Sequence, residues 1–137
     1  MSIRRVVLDT NILISALLSR EGNPAKIYRM FLTKLFTLIY SMEILEEYQD
    51  VLYRPRLKIP HGDADIVMAA IRQYGEKVWV MPSVNFMVDE DDRIFYDIAK
   101  HSGAYLVTGN TKHYPNEPFI LTPTEFLELK LVTLRDK

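Results

Sequence analysis

"RRVVLDTNILISALLS", residues 4–19, begins as a buried strand and is then interrupted by three polar residues, "DTN" at 9–11. Ile3–Leu8 is predicted to be a strand because short apolar runs rich in β-branched residues favour buried strands. A turn is expected at "TN", and residues 12–18 are expected to resume core packing. An acid that ends a buried strand serves either a local turn or a functional site, since α/β proteins bind ligands beyond the carboxyl ends of their strands.

The composition is that of one ordinary globular domain, which we expect to span residues 1–137. The chain has 48% hydrophobic and 26% charged residues and a net charge of -1. Nucleic-acid binding would therefore need a local basic patch. The chain has no cysteine, which excludes disulfides, thiol catalysis and thiolate metal sites. No apolar run is long enough to span a membrane, and we expect a cytoplasmic protein.

Predicted strands and helices alternate along the chain, which indicates an α/β fold. Further strands are predicted at Leu35–Tyr40, Val78–Met81, Ala104–Val107 and Phe119–Leu121. Five helices are predicted. They start at Pro24 with Asn23 as the cap, run from Met42 to about Tyr53 with Ser41 as the N-cap, cover Asp63–Tyr74 with Ile66 on the apolar face, run from Asp89–Asp92 to about Ser102 with Gly103 as the C-cap, and start at Pro123. Strands separated by such helices form right-handed crossovers in a parallel sheet. The predicted architecture is a three-layer α/β/α sandwich around a central parallel sheet of four to five strands.

Polar side chains stand at several predicted strand ends and helix starts. Asp9 ends the first strand, and Asn110 follows the fourth in "VTGN". Asp92 belongs to "DEDDR" at a helix start, and Glu47 lies at the border of the apolar face of its helix. Taken singly, a turn explains Asp9 or Asn110, and helix capping explains Asp92. A solvated position beside the apolar face explains Glu47 equally well.

Taken together, these four side chains predict one acidic crevice. If the first strand is central, the first and fourth strands are neighbours, and their carboxyl ends meet at one edge of the sheet. Repulsion among crowded acids opposes folding unless a cation offsets it. Oxygen ligands without a cysteine–histidine set suggest Mg²⁺ or Mn²⁺ rather than zinc. A pair of such ions, ~3.5–4 Å apart, promotes in-line attack on a phosphodiester.

The chain resembles the PIN-domain ribonuclease family over residues 4–129. "VVLDTNILISALL", "SMEILEEYQDVLYRP" and "DEDDRIFYDIAKHSGAYLVTGN" are similar to three family blocks, whose acids fall on Asp9, Glu47 and Asp92. The family often has a fourth acid directly after "TG", where this chain has Asn110. The most similar subgroup consists of prokaryotic PIN proteins regarded as toxins of toxin–antitoxin pairs.

This resemblance implies a PIN-like fold and a metal-dependent endoribonuclease that cleaves single-stranded RNA. Asp9, Glu47 and Asp92 would hold Mg²⁺ or Mn²⁺, and Asn110 would be a fourth catalytic residue. The residues that would support this site are Thr10, Asn11, Asp89 and Thr108.

The resemblance also implies two protein partners, an antitoxin that blocks the crevice and a second copy of the chain. The apolar residues that bear on a homodimer are Met30, Phe31, Leu32 and Phe36. A symmetric surface patch explains this set, and so does core packing.

Cationic side chains around the predicted crevice are candidate phosphate contacts for RNA. These cations are Arg54, Arg56, Lys58, Arg93 and Lys112. Tyr114 is a candidate for stacking on a base. Ordinary solvated surface charge is the competing explanation for each cation.

Several other functions share parts of this pattern. A non-catalytic PIN-like RNA-binding module is favoured by Asn110, and a DNA-directed nuclease would use the same metal chemistry. A phospho-aspartyl phosphatase should carry a second aspartate two residues after Asp9, where Asn11 stands. A response-regulator receiver should have an aspartate after its third strand, where "VMPSVN" at 80–85 has no acid.

Overall fold

The protein folds around a five-stranded parallel sheet in a computed structural model that describes residues 4–80 and 90–135. The strands are β1 (Arg4–Leu8), β2 (Phe36–Tyr40), β3 (Glu76–Lys77), β4 (Tyr105–Val107) and β5 (Ile120–Leu121). Their spatial order is β3-β2-β1-β4-β5, and every pairing is parallel. The first strand is central and lies beside the fourth, as the predicted crevice requires.

Helices cover both faces of this sheet, so the predicted three-layer α/β/α sandwich is confirmed. The α-helices of the described residues are α1 (Thr10–Leu18), α2 (Asn23–Leu32), α3 (Met42–Leu52), α4 (His61–Tyr74), α5 (Arg93–Ser102) and α6 (Pro123–Arg135). Short 3₁₀ helices occupy Pro55–Leu57, Glu90–Asp92 and Thr111–His113. Within residues 4–80 and 90–135, no helix has the length and apolar character that crossing a membrane requires.

The central strand is buried on both faces. Val6, Val7 and Leu8 are each 0% exposed, although consecutive strand side chains point to opposite faces of a sheet. Helices must therefore cover both sides of β1, which explains its unbroken apolar sequence. In the neighbouring strand, Phe36 meets Phe126 of α6 edge to face, with 5.6 Å between the ring centroids.

Local signals at two helix ends act as the sequence predicts. The Ser41 hydroxyl oxygen accepts a hydrogen bond from the Ile44 N–H at 3.1 Å and caps the start of α3. Gly103 ends α5 with a φ of 64°, a left-handed conformation that favours glycine. Helix α2 begins at Asn23, one residue earlier than the pattern predicts.

Helix α1 is a departure from the sequence prediction, which placed a turn at its start. The helix begins at Thr10, directly after Asp9, and buries Ile12, Leu13 and Ala16. Residues 12–18 are almost entirely apolar, so they show no alternation of polar and apolar faces from which a helix could be inferred. Asp9 consequently stands both at the carboxyl end of β1 and at the amino end of α1.

The third strand lies earlier in the chain than predicted. The predicted strand Val78–Met81 is wrong, because the paired residues are Glu76–Lys77, and Met81 lies outside the described residues. The apolar sequence that follows was taken for the strand, whereas this edge strand is short, charged and exposed. Pairing nevertheless extends one residue further, since the Val78 N–H donates to the Tyr40 carbonyl at 2.8 Å.

Candidate active site

Asp9 is the residue at which β1 leaves the sheet. Its backbone N–H donates to the Val107 carbonyl at 3.0 Å, so the pairing with β4 continues through Asp9. Its side chain is only 7% exposed and makes no capping hydrogen bond to α1. The carboxylate therefore lies at the carboxyl ends of two adjacent strands, at the point where the strand order reverses.

Two hydroxyl groups hold the Asp9 carboxylate. Thr108 Oγ1 donates to Asp9 Oδ2 at 2.8 Å, and the Tyr114 hydroxyl donates to the same oxygen at 2.9 Å. Burial, and then the negative charge of Asp9, raise the pKa of Tyr114 far above its ordinary value, so the phenol stays protonated. Tyr114 is only 5% exposed, so the expectation that its ring stacks on a base is wrong.

Thr108 links the turn after β4 to the start of α1. Its buried hydroxyl oxygen accepts from the Asn110 N–H at 3.0 Å and lies 3.5 Å from the Asn11 amide nitrogen. The Asn11 side-chain oxygen in turn accepts from the Gly109 N–H at 3.1 Å. These bonds tie the "DTN" segment to the "TGN" segment, two stretches that the sequence separates by about a hundred residues.

Glu47 of α3 faces the same crevice. Burial raises its pKa, the nearby Arg54 lowers it, and neighbouring carboxylates, Asp9 among them, raise it further. The next residue fixes the position of this helix, because the buried Tyr48 hydroxyl donates to the Leu8 carbonyl at 2.5 Å. Helix α3 is thereby attached to the last residue of β1, and Glu47 is held on the side of Asp9.

Asp92 enters the crevice from the start of α5. It ends the short helix Glu90–Asp92 and is largely buried. His113 Nδ1 lies 3.4 Å from Asp92 Oδ2. The charge of Asp92, like that of Asp9, contributes to the raised pKa of Tyr114, so both carboxylates lie near the buried Tyr114 hydroxyl.

Three cations that follow α3 (Arg54, Arg56 and Lys58) are here called the rim, and the first of them lies near enough to Glu47 to lower its pKa. Arg54 pairs with Asp50 one helical turn earlier, with 2.6 Å between nitrogen and oxygen. Arg56 and Lys58 are exposed on the short helix after α3 and just beyond it. This segment presents more positive charge to solvent than the one ion pair neutralises.

The remaining predicted residues lie at different depths. Asn110 and Lys112 are exposed where the chain leaves β4. Arg93 is half-buried and lines a pocket of about 200 Å³ together with Ser41 and other residues of α3 and α5. Asp89 lies outside the described residues.

The chemistry of the donor set fits a hard divalent cation, since it consists of carboxylate, amide and hydroxyl oxygens. The Thr10 hydroxyl is buried and has no hydrogen-bond partner among the described residues, and such an atom calls for a water molecule or an ion. Within the described part of the chain, no three acids or histidines already gather at metal-binding distances. An ion would therefore have to draw Glu47 and Asp92 toward Asp9.

Sequence reasoning did not identify the buried positions of three polar side chains. Tyr48 and Tyr114 anchor the Asp9 region, and Asp97 of α5 is buried in the pocket that Arg93 lines. A tyrosine on an apolar helix face carries a usable signal, because its buried hydroxyl must find a partner. No comparable signal marks Asp97 in the sequence.

The apolar residues considered for a homodimer do not form one exposed patch. Phe31 and Phe36 are buried in the core, so core packing explains both. Leu32 is exposed, and Met30 is partly buried against the core.

Ile66 of α4 is 66% exposed, so its predicted place on the buried face is wrong.

Comparisons with known proteins agree with this fold. The family model described as PIN domain matches residues 5–112. An uncharacterized protein of Methanocaldococcus jannaschii is 32% identical over 109 residues, which cover 77% of this chain and 70% of that protein. The crystal structure of PAE2754 from Pyrobaculum aerophilum aligns with a TM-score of 0.62 and 12% identity, over 95% of this chain and 90% of that one.

A second solved structure is also similar in fold. VapBC2 from Rickettsia felis, bound to a DNA fragment from their promoter, aligns with a TM-score of 0.57 and 16% identity, over 86% of this chain and 96% of that one. At 12% and 16% identity, the two solved structures support the fold alone. The family match, in contrast, spans every strand from β1 to β4 and the crevice acids between them, and the chain belongs to the PIN domain family.

Proposed function

We propose that this protein is a metal-dependent endoribonuclease that cleaves single-stranded RNA, and that it is the toxin of a toxin–antitoxin pair. The observation that carries the proposal is the buried Asp9 carboxylate at the end of the central strand, held by Thr108 and Tyr114. Glu47 and Asp92 approach the same place from α3 and α5. Membership of the PIN domain family supports nuclease activity at this crevice.

The chain's own residues would divide the work of the reaction. Asp9, Glu47 and Asp92 would hold Mg²⁺ or Mn²⁺, which when bound acidifies a water molecule and neutralises charge on the phosphate. Arg54, close enough to Glu47 to lower its pKa, would contact an incoming phosphate at the rim. The exposed Asn110 would hydrogen-bond to the attacking water or to the substrate.

The substrate class is tested with three labelled oligonucleotides of one sequence, as single-stranded RNA, double-stranded RNA and single-stranded DNA. Each is incubated with the protein in Mn²⁺, in Mg²⁺ and in excess EDTA. We expect internal cleavage of the single-stranded RNA with either metal and none in EDTA. Equal cleavage of the DNA would favour the DNA-directed nuclease instead.

A catalytically inactive RNA-binding module is the second candidate function, and Asn110 favours it. An amide at this position contributes no negative charge, so the crevice has one carboxylate fewer than many PIN domains. RNA that is bound but remains intact at every Mn²⁺ concentration would support the inactive module and contradict the nuclease.

The exposed rim cations are expected to contribute to RNA affinity. The double variant Arg56→Gln/Lys58→Asn should bind RNA more weakly, and its negative slope of log affinity against log salt should be shallower by roughly 1.4, the value for two phosphate contacts on a single strand. Asparagine is chosen because Lys58 has a φ of 57°, which asparagine tolerates. The measurement is fluorescence anisotropy with labelled RNA over a series of salt concentrations.

The matched control is Lys34→Asn/Arg72→Gln. Lys34 has a φ of 63° and precedes β2, and Arg72 is exposed in the last turn of α4. This pair removes the same charges and keeps the same backbone demands, at positions outside the segment Arg54–Lys58. If the slope of log affinity against log salt becomes equally shallow in both variants, the rim is not the RNA contact.

An antitoxin and a second copy of the chain are the proposed protein partners. The antitoxin is supported by the fold shared with VapBC2, whose structure contains a complex bound to promoter DNA. The homodimer rests on the family resemblance, since the core buries much of the apolar set considered for it. Light scattering after size-exclusion chromatography measures the mass of the isolated protein and tests the homodimer directly.

A further inference from the structure

Tyr114 is buried beneath the crevice surface, whereas a residue that contacts substrate would be exposed there. Its ring is buried, and its hydroxyl donates to Asp9 Oδ2 at 2.9 Å. The backbone brings it there through the short helix Thr111–His113, whose last turn is closed by a bond from the Tyr114 N–H to the Thr111 carbonyl at 3.1 Å. His113, its immediate neighbour, contacts Asp92. Adjacent residues of one turn therefore touch two of the proposed metal ligands.

We propose that Tyr114 is a positioning residue of the nuclease reaction, whose hydroxyl fixes Asp9 Oδ2 so that the other carboxylate oxygen, Oδ1, faces the metal. This role rests on the proposed function of the crevice. The hydrogen bonds described for the Asp9 side chain both end on Oδ2, one from Tyr114 and one from Thr108. Two donors on one oxygen prevent rotation of the carboxylate and leave the second oxygen to bind the ion.

Tyr114 is suited to this role because its buried ring holds the hydroxyl at Asp9 Oδ2, to which it donates at 2.9 Å. Hydrogen bonds that orient a metal ligand commonly affect metal affinity or activity by ~10–100-fold when they are removed. Thr108 remains bound to the same oxygen in a Tyr114 variant, so the lower end of that range is expected.

Tyr114→Phe tests the role because it removes the hydroxyl and keeps the ring. The matched control is Tyr96→Phe on α5, which removes another tyrosine hydroxyl that donates to a carboxylate, that of Glu117. Calorimetric titration with Mn²⁺ should give a dissociation constant about 10-fold higher for Tyr114→Phe and an unchanged one for Tyr96→Phe. Thermal unfolding without metal, and RNA cleavage at saturating Mn²⁺, are measured for both variants.

The outcomes separate the role of Tyr114 from the function of the crevice. If wild type binds Mn²⁺ and Tyr114→Phe binds it with the same affinity, Tyr114 is not a positioning residue, whatever its effect on thermal stability. A wild-type protein that neither binds Mn²⁺ nor cleaves RNA would overturn the proposed function and this role together. Weaker Mn²⁺ binding confined to Tyr114→Phe supports the proposal.

Discussion

Asp9→Asn is expected to lower metal-dependent RNA cleavage by at least ~100-fold while the fold is preserved. Asparagine has the shape of aspartate, and its amide oxygen can accept the hydrogen bonds that Thr108 and Tyr114 donate. The variant lacks the negative charge that would bind the ion. Loss of a direct ligand should exceed the ~10–100-fold effect of losing a group that only orients a ligand.

The matched control for this variant is Asp65→Asn. Asp65 lies on the exposed face of α4 and also accepts a tyrosine hydroxyl, that of Tyr53. The same chemical change at Asp65 should give a variant that cleaves RNA at the wild-type rate. Initial rates on labelled RNA and thermal unfolding are measured for all three proteins. Equal cleavage by Asp9→Asn and wild type would reject Asp9 as a catalytic ligand.

The effect of Glu47→Gln on thermal stability is expected to change sign when metal is added. Without metal the variant should be as stable as the wild type or more stable, and with metal it should be less stable. Burial holds the pKa of Glu47 above its ordinary value of 4.5. An acid whose pKa is higher in the folded than in the unfolded protein stabilises the fold below its unfolded pKa. That contribution is lost as the pH rises through the folded pKa. At neutral pH without metal, the glutamine variant should therefore unfold at the wild-type temperature or above it.

Added Mn²⁺ should restore the advantage of the wild type. A ligand at 100 times its dissociation constant stabilises the folded state by about 2.7 kcal/mol, and the glutamine variant should gain much less. Glu46→Gln is the matched control, since Glu46 is the exposed neighbour on the same helix, and it should behave as the wild type. Equal stabilisation of Glu47→Gln and wild type by Mn²⁺ would exclude Glu47 from the metal site.

The sequence predicts the centre of the fold because burial there leaves a strong signal. The central strand is buried on both faces, so it reads as an unbroken apolar run that stops at Asp9. Gly103 and Ser41 end and begin helices through local backbone chemistry that is visible in single residues. The position of Asp9 at the switch point depends on the strand order, which the alternation of strands and helices does not determine and which the structure supplies.

Elsewhere the signal is absent or misleading for physical reasons. The third strand is a charged edge at Glu76–Lys77, so hydrophobicity points to the wrong residues after it. Residues 12–18 are apolar except for Ser15 and show no helical period. Tyr114 reads as a surface aromatic, because its contact with Asp9 joins residues that lie 105 positions apart in the chain. Contacts of this kind arise from the tertiary fold, which local patterns do not encode.

Calorimetric titration of Mn²⁺ into the wild type and Asp9→Asn measures whether the Asp9 crevice binds a divalent metal ion. We expect saturable binding to the wild type and its loss in Asp9→Asn, with both proteins folded under the conditions of the titration. Saturable binding of equal affinity in both proteins, or no binding to the folded wild type, would show that Asp9 does not hold a metal ion.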